Sequence, residues 1–275
     1  NNCGGLVSYM LGIHAEYTTS MERMEYMASL AEKYKAPCFT HMSETKAEVD
    51  GCIERYGLTP PQLLDRIGFF RYGGGGFHCV WMSDEDVALM AEKKLWAVTC
   101  PASNLKLASG IAPIDRLAAA GVPLAIGTDG AGSNNALDMF REMYLVSALQ
   151  KYLNRDASAG SADRTLEMAC VGGARAMGLA DCDDLAAGKR ADLIVIGLDR
   201  PNMQPVNNIA RNIVFSWMRA PAIFTPDAAN GERRSWDEED RPACTHHRIG
   251  RHRVRARGSQ ACHGYWPCRY RRDRS

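Results

Sequence analysis

The chain has 275 residues, 46% of them hydrophobic, and a formal net charge of +1. That length allows one large domain or two smaller ones with a sizeable core. The near-neutral charge gives no global argument for a nucleic-acid or membrane partner. No run approaches the roughly 18 apolar residues of a membrane span. The opening Asn1-Asn2-Cys3-Gly4-Gly5 lacks the basic and apolar regions of a secretory signal. With no Met at its start, the chain is expected to begin inside a longer one. Ten cysteines are scattered without a C-x-x-C pair. Cys38, Cys79, Cys100 and Cys170 sit in apolar contexts, where a free thiol behaves as a small hydrophobe, so a reduced, cytoplasmic compartment is expected.

In chain order, residues 6 to 13 read as a strand that delivers His14 to its end. Thr19 or Ser20 can N-cap a helix over 21 to 36, with Met24, Met27, Ala28, Leu30 and Ala31 as its apolar stripe. Cys38-Phe39-Thr40-His41 is a second strand, and Thr45 to Tyr56 a second helix ending at Gly57. Leu63 to Phe70 reads as a short helix plus loop. The Gly73 to Gly76 run has no phosphate-loop Lys or Ser after it and reads as a flexible turn before a strand carrying His78. Ser83-Asp84-Glu85-Asp86 is a helix start with acids in its first turn, running to Lys94. Leu95 to Thr99 is the next strand, Pro101 to Gly110 a long polar loop, Ile114 to Ala120 a helix, and Val122 to Ile126 the strand before Asp129. Helices over 138 to 152 and 163 to 177 follow.

This alternation argues for an α/β fold of parallel strands with crossover helices, about four βα units, half of a TIM-like (β/α)8 barrel. The barrel part is placed at 1–187. From Gly188 the pattern changes to a turn and strand through Ile196, with Ile213-Val214-Phe215 as a further strand, so 188–217 reads as a small β element. Residues 218–275 are rich in Arg, contain no Lys and hold four of the seven His. They are expected to be a disordered tail or the product of a shifted reading frame, and nucleic acid is not the expected partner.

The chemistry-bearing residues each follow a short apolar run. At the C-terminal ends of parallel barrel strands such side chains converge on one face. His41 offers an imidazole ligand for a metal, and Glu44, three residues on, a carboxylate that can shuttle a proton. Asp129, in Gly127-Thr128-Asp129-Gly130, can ligate metal and accept a proton from an attacking water. His78 can polarise the atom under attack, and His14 sits at a further strand end. Taken singly, each has a plainer reading: a core His bonded to a carbonyl, or a turn Asp bonded to its own backbone.

Five segments resemble one family: Gly12-Ile13-His14-Ala15-Glu16-Tyr17-Thr18; Thr40-His41-Met42-Ser43-Glu44-Thr45; Pro101-Ala102-Ser103-Asn104-Leu105-Lys106-Leu107-Ala108-Ser109-Gly110; Ile126-Gly127-Thr128-Asp129-Gly130-Ala131-Gly132-Ser133-Asn134-Asn135; and Gly188-Lys189-Arg190-Ala191-Asp192-Leu193-Ile194. Over residues 5 to 217 the chain resembles the amidohydrolase superfamily, in its methylthioadenosine/S-adenosylhomocysteine deaminase and chlorohydrolase branch. The resemblance implies that His41 and Asp129 are metal ligands, Glu44 the proton shuttle that also contacts the purine, His78 a residue beside the reaction centre, and His14 a substrate contact. It implies one zinc per site, or another divalent metal, and a small purine nucleoside as substrate, with homo-oligomerisation left open. The implied reaction is attack of zinc-activated water on C6 of an adenine ring, releasing ammonia. Guanine deamination, chlorohydrolase-like chemistry, or a non-catalytic fragment are the alternatives. The family's His-x-His ligand pair has no counterpart before His41, so the resemblance implies a fragment that begins near the fourth barrel strand.

Overall fold

The computed structural model describes residues 9–190, 192–194 and 196–216. The chain divides into two units, Asn1–Asp183 and Asp184–Ser275. The sequence-predicted tail at 218–275 lies outside the described residues.

In the first unit five short strands form one parallel sheet in sequential order: β1 (Leu11–Gly12), β2 (Cys38–Met42), β3 (Gly74–His78), β4 (Trp96–Thr99) and β5 (Leu124–Ile126). The expected βα units are thus five parallel strands joined by four crossovers. Helices α1 (Met21–Tyr34), α2 (Lys46–Tyr56), α3 (Pro60–Arg66), α4 (Asp84–Glu92), α5 (Pro101–Lys106) and α6 (Ile114–Ala119) make those crossovers. After β5 come α7 (Ala131–Asn134), α8 (Met139–Asn154), α9 (Ala162–Glu167), a π-helical turn at Met168–Gly172, and α10 (Gly173–Ala176).

Local chemistry sets the helix ends. Ser20 caps α1 by accepting from Arg23 N–H, and Met24, Ala28 and Ala31 form its buried stripe. Thr45 and Glu48 make a capping box at α2, as do Ser83 and Asp86 at α4; a cap of this kind contributes about 1 kcal/mol. Strand alternation puts Phe39, Phe77, Val98 and Ala125 on one face, where they cluster with Trp96 and Ala176. His41 pairs with Phe77 in register and shares that face.

The structure corrects three readings of this unit. The glycine run is not a flexible turn: Gly74 to Gly76 are the body of β3. A Cβ on Gly74 would lie 1.8 Å from the Cys38 carbonyl oxygen, and one on Gly75 2.1 Å from that of Trp96. The strand is glycine because both neighbouring backbones press against it. The expected loop at Pro101 to Gly110 begins as α5, with Pro at its first position, where the missing N–H costs nothing. Of its buried residues, Pro101, Ala102, Ser103 and Asn104, the last two are polar, so no hydrophobic periodicity reveals it. The helix expected over 163 to 177 is helical throughout but is interrupted by the π turn.

In the second unit the described residues contain a 3-10 turn, Pro201–Met203, and α11 (Ile209–Ser216), and no strand. The predicted strand Ile213-Val214-Phe215 is therefore helical, and the run from Gly188 to Ile196 is irregular where described. Asn208 starts α11 by accepting from Arg211 N–H (2.8 Å), which overrides the β-branched run.

Candidate functional site

His14, His41, Glu44, His78 and Asp129 stand just after or at the ends of β1, β2, β3 and β5. The backbone there is unusual. Ser43, His78, Cys79 and Asp129, none of them glycine, have φ of 52°, 72°, 50° and 58°. Such left-handed residues are costly for L side chains and cluster at functional sites.

Three imidazoles lie side by side. His14 and His41 have ring centroids 4.6 Å apart, and His41 and His78 5.2 Å apart. His14 is exposed and bonded through Nδ1 to the Thr18 hydroxyl (2.8 Å). His41 donates Nδ1–H to the His14 carbonyl oxygen (2.7 Å). Because a carbonyl can only accept, this bond leaves the Nε2 lone pair of a neutral His41 free. His78 is buried, with Nδ1 2.7 Å from Asn104 Oδ1 and Nε2 without a partner. Burial lowers its basicity, against the opposing pull of Glu44, Asn104 and Asp129, so the ring is held neutral.

Asp129 Oδ2 accepts from the hydroxyls of Ser103 (2.6 Å) and Ser133 (2.5 Å). Burial alone would raise its pKa, but these bonds, the Gly130 N–H and the nearby His78 outweigh it, and the carboxyl sits below its usual range. Glu44 Oε1 accepts from Ser109 (2.8 Å), while its Oε2 lies 3.6 Å from His78 Nε2. The loop carrying Glu44 is fastened by Glu48, whose carboxylate accepts from the N–H groups of Ser43 (2.7 Å), Glu44 (2.8 Å) and Thr45 (3.4 Å). Glu142, fully buried, accepts from Ala102 N–H (2.9 Å) and Asn134 Nδ2 (2.8 Å). Asn134 Nδ2 also donates to the Thr128 carbonyl (2.5 Å), which ties α5 and α7 to the turn before Asp129.

One ligand atom each from His41, His78 and Asp129 lies within 4.8 Å of the others, the one such cluster among the described residues. Two imidazole nitrogens and a carboxylate suit zinc or a similar divalent ion, and three protein donors plus water is the usual catalytic zinc arrangement. The unpartnered Nε2 of His78 is the donor such an ion would satisfy. His78, assigned from sequence to the reaction centre alone, thus lies among the side chains whose ligand atoms could hold an ion. Burial holds the thiols of Cys38 up at about 11 and of Cys52 and Cys100 at about 12, so these three are not nucleophiles near neutrality.

The sequence profile of the amidohydrolase family matches residues 2–225. The chain belongs to the amidohydrolase family. Over 213 residues it is 41% identical to a 5-methylthioadenosine/S-adenosylhomocysteine deaminase from Moorella thermoacetica, covering 77% of this chain and 50% of that relative. It is 40% identical over 206 residues to a 5'-deoxyadenosine deaminase from Methanothermobacter thermautotrophicus, covering 75% and 48%. A solved adenosine deaminase from Xanthomonas campestris, with bound zinc, superposes with a TM-score of 0.72 at 37% identity, covering 76% of this chain and 48% of that one. The chain therefore spans about half the length of the curated relatives it matches.

Sequence reasoning missed the supporting residues of this amidohydrolase site. Ser103, Asn104 and Ser109 lie inside the Pro101–Gly110 motif, whose polar sequence gives no sign of which side chains face the site. Glu48 was signalled by the Thr45-x-x-Glu48 spacing of a capping box.

Proposed function

We propose that the site hydrolytically deaminates the adenine ring of a small nucleoside, of the methylthioadenosine/S-adenosylhomocysteine type, with zinc as cofactor. The observation that carries this reading is the meeting of the His41, His78 and Asp129 ligand atoms within 4.8 Å, with the Glu44 carboxylate 3.6 Å from His78 Nε2. Relatives named as adenosine-type deaminases support the choice of substrate class. His41, His78 and Asp129 would hold the ion. Bound there, zinc supplies Lewis acidity that brings the pKa of water toward neutrality.

The chain's own residues do the rest. Glu44, with Oε1 held by Ser109, turns Oε2 toward the centre, where it takes a proton from the attacking water and returns one to the leaving nitrogen at C6. The C6–N bond breaks, ammonia leaves, and the ring becomes a hypoxanthine. Asp129, whose Oδ2 accepts from two serine hydroxyls, would help hold the ion and accept a proton from the attacking water. His14, exposed and with its ring centroid 4.6 Å from that of His41, would touch the nucleoside.

The test is ammonia release from S-adenosylhomocysteine and methylthioadenosine by the zinc-loaded chain. The expected result is ammonia in step with loss of the adenine absorbance. Zinc-loaded protein that releases none from either nucleoside overturns the deaminase reading.

A further inference from the structure

The segment that follows β4 touches three of the site's side chains. Ser103 donates to Asp129, Asn104 meets His78, and Ser109 donates to Glu44, at 2.6, 2.7 and 2.8 Å. All three segment residues are buried. Two of these contacts are hydroxyls on carboxylates that have other donors or solvent nearby. The third decides which nitrogen of a buried ring carries a proton.

A neutral imidazole has one N–H, and its position determines which lone pair is available. At His78 two acceptors compete for it. Asn104 Oδ1 lies 2.7 Å from Nδ1, an ordinary hydrogen bond. Glu44 Oε2 lies 3.6 Å from Nε2, too far for one. With the proton on Nδ1, the buried Nε2 presents a lone pair to the ligand atoms of His41 and Asp129. With the proton on Nε2, the same atom would be a buried donor lacking an acceptor, which proteins rarely tolerate. The opposite orientation of the Asn104 amide would give its unpartnered Nδ2 an acceptor. It would also force the His78 proton onto Nε2, with Glu44 still out of reach.

We propose that Asn104 is a positioning residue whose side-chain carbonyl holds the His78 proton on Nδ1 and keeps the Nε2 lone pair facing the centre. The use of that lone pair rests on the deaminase reading; the tautomer itself does not. A partner of this kind behind a ligating imidazole fixes both its tautomer and its orientation.

The test is 15N NMR of the metal-free full chain labelled at histidine, at about pH 9, where imidazole is neutral. Protonated and unprotonated ring nitrogens have well-separated shifts. Wild type is expected to show His78 with a protonated Nδ1 and a bare Nε2. Asn104→Asp keeps an acceptor and should preserve that pattern. Asn104→Leu should invert it to Nε2–H, the tautomer free imidazole prefers, and weaken zinc binding roughly 10- to 100-fold. A wild-type proton on Nε2, or an unchanged His78 in Asn104→Leu, overturns the proposal. If circular dichroism shows that Asn104→Leu does not fold, the wild-type and Asn104→Asp spectra decide, and Nε2–H in either is sufficient against it. A failure of the deaminase reading shows instead as absent ammonia release with these spectra unchanged.

Discussion

Glu44 and Asp129 are both carboxylates at strand ends, yet their surroundings give them separable roles. Asp129 is held by two hydroxyls and sits in the ligand group, whereas Glu44 has one oxygen held and one facing His78. Glu44→Gln should therefore leave zinc content unchanged and lower ammonia release on the order of 10² to 10⁴-fold. His41→Ala and Asp129→Ala should lower zinc content itself, as read by elemental analysis after dialysis. Full turnover in Glu44→Gln would remove that carboxylate from proton transfer. The five strand-end residues were visible in the sequence because a lone polar group after a short apolar run is a recognisable pattern. Their supporting residues were not. Ser109 lies 65 positions from Glu44, and Asn104 26 from His78, so nothing local couples them. The left-handed backbone at His78 and Asp129 is likewise not readable from residue type, since His and Asp, though enriched there, adopt it only in a small share of positions.

At the scale of elements, periodicity and caps located α1, α2, α4 and α8 within a few residues, because each has an apolar stripe and a capping side chain. It failed where tertiary contacts overrode local preference. The glycines of β3 looked like a turn, but their smallness is what lets β2 and β4 close on them. Gly75→Ala is thus expected to destabilise the chain by about 2–3 kcal/mol through overpacking. Gly57→Ala, at φ 69° with open space around it, should cost only about 1 kcal/mol. Urea unfolding of the two variants measures the difference, and equal costs would mean that β3 is not tightly flanked. Helix α5 was hidden for a different reason. Its buried Ser103 and Asn104 are polar because they serve the site, and its first free N–H is capped by Glu142 from α8, a partner 40 positions away.

At the scale of the whole molecule, the buried acids that fasten the site leave a signature in the pH dependence of stability. Burial raises Glu48 above the ordinary value of 4.5, against three backbone N–H groups that pull it down, and burial likewise raises Glu142. The folded state then binds these protons more tightly than the unfolded chain. Stability should accordingly fall as pH rises through the interval from about 4.5 to the folded values. Urea unfolding between about pH 4 and pH 7 should show wild type losing stability relative to Glu48→Gln and Glu142→Gln as pH rises, while His78, whose pKa is lowered by burial, acts in the opposite sense over that interval. Asp129, whose pKa is lowered, acts in the opposite sense, stabilising above 3.8 and losing that contribution as pH falls further. An unchanged slope in both glutamine variants would mean that neither carboxyl changes its protonation on folding.

We propose that a chain spanning about half the length of its relatives can still hold one metal ion between three strand ends, through His41, His78 and Asp129. The most direct measurement is zinc stoichiometry on the purified full chain, loaded with zinc and dialysed against buffer. About one tightly held zinc per chain is expected, lost in His41→Ala. A folded chain that retains no zinc would contradict it.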